Sequence, residues 1–235
     1  MSGWSAQRFW KDVTVAEDNG GYSVQLDGRE VRTPAKARLV LPTRALAEVV
    51  AAEWAEQAGQ IRPDRMPATR AANSAIDKVR GQEAEVAELV AAYGANDLLC
   101  YRAEAPQELV ARQAAAWDPL LEWAARRFDI SWNVTVGVLP CAQPQATLDK
   151  LSAQVAGFSA FELTGVHDLV SLSGSLVIGL AATEQQAQAE ELWSISRIDE
   201  DWQISQWGED AEASHLAAER RQGFLDAWRF FHACR

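Results

Sequence analysis

The chain is poor in the residues that most often carry chemistry. Its 235 residues include three cysteines, three histidines and two methionines. Cys100, Cys141 and Cys234 are odd in number and widely spaced. That pattern argues against a disulfide framework and fits reduced thiols, and without a Cys-x-x-Cys pair a structural zinc site lacks its usual spacing. His167, His215 and His232 lie far apart in apolar or mixed segments. Ordinary helix packing outweighs a Cys–His site there, even for His232 beside Cys234. No GxGxxG or GxxxxGK[ST] cradle and no GxSxG elbow occurs, and "GSLVIGL" lacks the lysine of a phosphate loop. Positive charge is short as well: 22 Lys and Arg face 33 Asp and Glu, a net charge of −11. With no basic stripe, a nucleic-acid or anionic-membrane partner is disfavoured. The most apolar run, "LVSLSGSLVIGLAA" at 169–182, is too short to span a bilayer and reads as a buried helix. "MSGWSAQRFWKD" at the N-terminus has neither an apolar signal core nor a long Arg/Ser-rich stretch. The expected location is a bacterial cytoplasm, or an organelle after processing.

What is present is a foldable composition, 48% hydrophobic and 23% charged, enough for a core in one large domain or two smaller ones. Ten tryptophans are many for this length. Trp54, Trp117 and Trp123 fit apolar helix faces and are expected in the core. The acidic excess is local: residues 184–212 hold nine carboxylates against Arg197 alone. At its centre "SRIDEDWQISQWGED", 196–210, packs five carboxylates and two tryptophans together. As an EF-hand loop from Asp199 it fails, with Ile204 where glycine is required and Asp210 where glutamate is. As a diphosphate-binding DDxxD it ends in Gln203, and "NSAID" at 73–77 offers only one carboxylate to face it. Three readings stay open: a solvated helix face, a docking surface, and a metal-dependent all-α enzyme using Asp199, Glu200 and Asp201. Ile195, Ile198 and Trp202 can share one core-facing stripe, whereas Trp207 lies well off it.

Organisation changes near residue 42. "DVTVAE", "YSVQL" and "REVRT" are short β-favouring runs, with Asp27–Gly28 a strong hairpin signal between the last two, and "RLVLP" a further strand. So small a sheet must lean on the helical segments that come after it in the chain. Thr43 can cap a helix containing Leu46, Val49, Val50 and Trp54, closed by Gly59. Helical patterns recur over 69–95, over 106–128 with a second helix starting at Asp118–Pro119, and over 144–157. Residues 159–182 read as one or two buried helices. A Thr183/Gln186 capping box opens a helix to Trp207, and Gly208 separates the last one, 209–232. The expected fold is α+β: a small β-rich N-terminal domain, 1–42, followed by a mainly α-helical domain, 43–235.

Several segments together resemble one family. They are "RFWKDVTV", "GYSVQLDGREVRTPAKARLVLPT", "LAEVVAAEWAEQ", "IRPDRMPATRAANSAID", "NDLLCYRAEAPQELVARQAAAWDPLLEWA" and, near the C-terminus, "SRIDEDWQISQWGED". In this order, with the specific "DLLCYR…Q…WDP" block (Asp97–Arg102, Gln113, Trp117–Pro119), the chain is similar to the ATP12 chaperones, which assist assembly of the F1 sector of ATP synthase. Residues 130–182 carry little of that signal. The resemblance implies a non-enzymatic protein without cofactor, metal or catalytic residues. It implies a monomer that binds the free F1 α subunit, prevents its aggregation and releases it to the β subunit, in the cytoplasm or, in a eukaryote, the mitochondrial matrix. It also implies a role for acidic residues in the C-terminal helical region. The expected partner-binding set is Asp199, Glu200, Asp201, Trp202, Trp207 and Glu209. An adaptor for another basic client is the alternative of the binding class.

Overall fold

The computed structural model describes residues 7–235, which leaves the first six residues of the N-terminal stretch outside it. By contacts the chain divides into two compact units. One comprises the chain as far as Gln82 together with Ser159–Gly165 and Arg229–Arg235, and the other comprises Glu83–Phe158 and Val166–Trp228.

The first unit is built on an antiparallel hairpin of β1 (Val13–Asp18) and β2 (Gly21–Leu26), with Val13 opposite Leu26. At the next turn Asp27 and Gly28 both take positive φ, 49° and 77°, leading into β3 (Arg29–Glu30) against the end of β2. This is the turn geometry that Asp-Gly favours. The strand expected over 38–42 is the short β4 (Val40–Leu41), which pairs with the start of β2. The sheet leans on α1 (Arg44–Ala55), as its size requires. Thr43 caps α1 by accepting the Leu46 N–H at 3.1 Å. No side chain at Met66 caps α2 (Pro67–Ser74), so Glu53 of α1 supplies the acceptor from outside. Its carboxylate takes the N–H groups of Ala68 and Thr69 at 2.7 Å each and the Thr69 hydroxyl at 2.6 Å. The core here includes Val24, Leu26, Leu41, Leu46, Val50 and Ile76. Each such aliphatic side chain contributes roughly 1.5–3 kcal/mol. Trp54 is partly buried against this core, edge-on to buried Trp10 at 5.2 Å.

The second unit is helical: α3 (Glu83–Ala91), α4 (Gln107–Phe128), α5 (Gln145–Ala156), most of α6 (Ala160–Ser173), α7 (Leu176–Thr183), α8 (Ala189–Ser196), α9 (Ile198–Trp207) and most of α10 (Ala211–Ala233). Leu99, Trp117, Leu121, Leu169, Ile178, Leu192 and Phe224 form its core, with Trp123 partly buried against it. The apolar run at 169–182 becomes the end of α6 and the whole of α7, divided by Gly174 at φ 72°. Every residue of α7 is buried. Asp97, also fully buried, ties down its N-terminus. The carboxylate accepts the Ser175 hydroxyl at 2.7 Å and the Val177 N–H at 3.0 Å. Burial pushes this carboxyl up, and the hydrogen bonds pull it partly back.

Four helix boundaries differ from the sequence expectation. The pattern over 69–95 is not one helix but α2, a π-helical turn at Ala75–Val79, α3 and a 3₁₀ turn at Ala92–Asn96, interrupted by Gly81 at φ 85°. Pro119 does not start a helix; it lies inside α4. The carbonyl it leaves unpaired belongs to Ala115, and both residues are exposed, so water can satisfy that group while Trp117, Leu120 and Leu121 keep the helix packed. Thr183 does not open a helix either. It is the last residue of α7, its hydroxyl donating to the Leu180 carbonyl at 2.7 Å, and Gln185 follows at φ 53°. The 189–207 stretch is two helices, α8 and α9, meeting at Arg197. The architecture as a whole is the expected one, a small N-terminal sheet region followed by a mainly helical chain.

Candidate functional site

The acidic stretch folds mostly into α9. Asp199, Glu200 and Asp201 occupy its first turn, where the helix dipole favours negative charge. Successive helical residues point about 100° apart, so the three carboxylates turn to different surroundings. Asp199 is half-buried and accepts the Gln113 Nε2–H of α4 at 2.6 Å. Glu200 pairs with Arg197 at 2.8 Å. Asp201 is exposed. Among the described residues no three His, Cys, Asp or Glu side chains are grouped so as to hold a metal ion.

The two tryptophans part ways. Trp202 is buried on the core-facing stripe, with the Arg112 guanidinium 4.9 Å from its ring centre. Trp207, in the last turn, is 80% exposed. Gly208 follows at φ 89° and ends the helix, and the exposed Glu209 comes directly after it. Beside Trp207 the exposed apolar side chains Ile204 and Leu216 line an open cavity of about 400 Å³ between α9 and α10. Of the six residues expected from sequence, Trp207, Glu209, Glu200 and Asp201 therefore present themselves to solvent. Asp199 is held by Gln113, and Trp202 serves packing.

The 97–119 block converges on the same place. Arg102, in β5 (Tyr101–Arg102), lies 2.8 Å from the Asp118 carboxylate and 5.3 Å from the centre of the Trp117 ring. Trp117 Nε1–H donates to the Ile195 carbonyl of α8 at 2.9 Å. Gln113, almost wholly buried, accepts the Ala103 N–H at 2.8 Å while holding Asp199. A set of polar contacts thus fixes α8 and the start of α9 against α4. The family model described as ATP12 chaperone protein matches residues 7–125, which include this whole block. The chain belongs to the ATP12 chaperone family.

Relatives extend the likeness over the full length. Atp12 of Paracoccus denitrificans is 46% identical, with a TM-score of 0.95 over 98% of this chain and 99% of that one. A protein of Agrobacterium tumefaciens is 37% identical, with a TM-score of 0.94 over 98% of this chain and 87% of that one. The mitochondrial protein atp12 of Schizosaccharomyces pombe is 23% identical over 207 residues, 83% of this chain and 71% of its own length. An ATP12-family protein is a chaperone and not a member of an enzyme family, and ATP synthase assembly is the work of that family. Among the described residues no helix is long and apolar enough to cross a membrane.

Two contributors escaped the sequence reading. Gln113 belonged to the specific block, but nothing in its spacing gave it a role; only the fold brings it to Asp199, 86 positions away. Strand β6 (Thr135–Val136), with the exposed Val134, Val138 and Leu139 around it, lies where sequence gave little signal.

Proposed function

We propose that this protein binds the unassembled α subunit of F1-ATPase, shields its subunit interface from aggregation and gives it up when a β subunit takes the chaperone's place. It acts as a monomer, without catalysing a reaction, in a bacterial cytoplasm or a mitochondrial matrix. The observation that carries this reading is Trp207, a large aromatic side chain left 80% exposed among carboxylates in an ATP12-family chain. Solvated helix faces seldom keep such a residue, whereas interfaces are enriched in tryptophan. Exposed Glu200, Asp201 and Glu209 around it suit a client surface with basic residues next to apolar ones. Asp199 and Trp202 hold α9 in place, and Trp207 and the exposed carboxylates meet the client.

The test is Trp207→Ala. Because the side chain is exposed, the melting temperature should stay within the shift produced by about 0.5 kcal/mol. Protection of F1 α from aggregation should weaken about five- to thirtyfold, as for loss of an aromatic anchor of about 1–2 kcal/mol. Full protection by this variant would remove Trp207 from the client surface.

A further inference from the structure

The second unit contains a two-stranded parallel sheet of β5 and β6, with Tyr101 opposite Thr135 and Arg102 opposite Val136. The Gly137 N–H donates to the Arg102 carbonyl at 2.8 Å. In a parallel ladder this sets the orientation of the whole strand: Thr135 and Gly137 direct their main-chain groups to β5. The N–H and C=O of Val136 therefore point to the opposite side, and no described strand pairs with that edge. Unpaired strand edges are templates for another chain, and proteins that do not use them usually guard them with lysine, proline or a covering loop. From Val134 to Leu139 the edge carries neither lysine nor proline. Val134 and Val136 share one strand face and are both exposed, Val136 at 59%; past the bend at Gly137, Val138 is 92% exposed, with Leu139 beside it.

The apolar surface continues from there. Val138 and Trp207 line the same cavity of about 350 Å³, whose lining includes Leu109, Pro106 and Trp202. Trp207 also borders the α9–α10 cavity, so the β6 edge runs into the surface assigned to the client. Within the cavity that Val138 and Trp207 share, negative charge is the uncompensated kind. The cation lining the shared cavity is Arg102, which Asp118 neutralises at 2.8 Å. A Glu104 carboxylate oxygen lies beside Gly137, and Asp199 lines the cavity.

We infer that β6 captures the client by strand addition: an extended client segment, apolar at alternate positions and flanked by lysine or arginine, pairs with the Val136 edge and sets its apolar side chains against Val134, Val138 and Trp207. Main-chain hydrogen bonds supply affinity that does not depend on client sequence, and the apolar and acidic surroundings supply selectivity. The inference rests on F1 α being the client and adds the mode by which that client is held.

Hydrogen–deuterium exchange on the unmodified protein is the first measurement. The Val136 amide should be protected when F1 α is added and exchange freely without it. Exchange unchanged by bound client overturns strand addition. The second is an aggregation assay with Val136→Pro, which removes the outward N–H and leaves the β5-facing groups of Thr135 and Gly137 in place. Val136→Lys with Val138→Lys guards the edge by a different route, and Val136→Thr keeps the N–H as a control. The proline and lysine variants should need about tenfold more chaperone for equal protection, as for loss of a main-chain hydrogen bond and its neighbouring contacts. The threonine variant should stay near wild type, and all melts should stay close together. Wild type that binds F1 α alongside equally effective edge variants overturns this inference alone. Wild type that leaves F1 α unprotected overturns the client assignment, and this inference with it. A wild-type dimer in sedimentation that Val136→Pro dissolves, with protection unchanged, assigns the edge to a second copy and overturns it too.

Discussion

Gln113 shows how a single amide can decide what a neighbouring acid is for. Its oxygen is committed to the Ala103 N–H and its nitrogen to Asp199, at 2.8 and 2.6 Å. The amide nitrogen stays satisfied only while α9 keeps its place against α4, since a buried donor without a partner costs more than the bond contributes. The acidic residues of α9 are therefore unequal, although sequence presents them as one run. Asp199→Lys removes the acceptor of a buried donor and puts a cation at a helix N-terminus. It should destabilise the protein by about 1–3 kcal/mol. Asp201→Lys changes an exposed side chain and loses little beyond the helix-dipole interaction of the first turn, at most about 1 kcal/mol. Glu200→Lys loses the Arg197 pair, whose value at the surface is at most about 1 kcal/mol, and the favourable helix-dipole interaction of the first turn, about 0.3–1 kcal/mol. Urea unfolding of the three variants separates them, and equal midpoints for all three would make the Gln113 bond energetically empty. Client loss in Asp199→Lys cannot be read without this control, whereas Glu200→Lys and Asp201→Lys probe docking cleanly.

At the scale of elements, the legible parts were those governed by local chemistry. Asp27–Gly28 needs positive φ, and Thr43 has a free acceptor for the N–H of Leu46; both effects lie within a few residues and both are realised. Pro119 and Thr183 mislead for the opposite reason. A proline signals a boundary only if tertiary packing does not outweigh one lost hydrogen bond, and here fully buried Trp117 anchors the helix beside it. Thr183 matches a capping box, but the apolar sequence before it carries α7 through that position. In the candidate site, the place of Trp207 off the Ile195–Trp202 stripe was legible, whereas its exposure rather than packing against a neighbouring helix was not. The β6 edge was not, because a two-residue parallel strand owes its existence to a partner 34 positions away. Gly179 lies between these cases. In sequence it reads as a flaw in a helix, yet a methyl group there would collide with the Val170 side chain of α6. Alanine would gain about 1 kcal/mol of helix propensity and meet an overpacking cost of about 1–3 kcal/mol in a core with no slack. Gly179→Ala should therefore lower the denaturant midpoint. A rise would show that α6 and α7 can separate without loss.

On the scale of the whole molecule, the proposed capture divides its work between charge and apolar surface. On the proposed function, the net charge of −11 would draw a basic client from a distance, whereas Trp207 and the β6 edge would act only on contact. Steering changes the encounter rate and short-range packing mainly changes the lifetime of the complex. Salt separates the two, since the screening length falls from about 30 Å at 0.01 M to about 8 Å at 0.15 M. The association rate with F1 α should fall steadily over that range while the dissociation rate moves little. The double variant Glu200→Lys, Asp201→Lys turns local attraction into repulsion; it should associate more slowly at low salt and show a flatter salt dependence. Trp207→Ala should keep the wild-type salt slope and dissociate faster. Stopped-flow mixing with unassembled F1 α measures all of these rates. A wild-type association rate indifferent to salt would return the carboxylates of α9 to the ordinary office of keeping a helix face in water, and leave capture to the apolar surface alone.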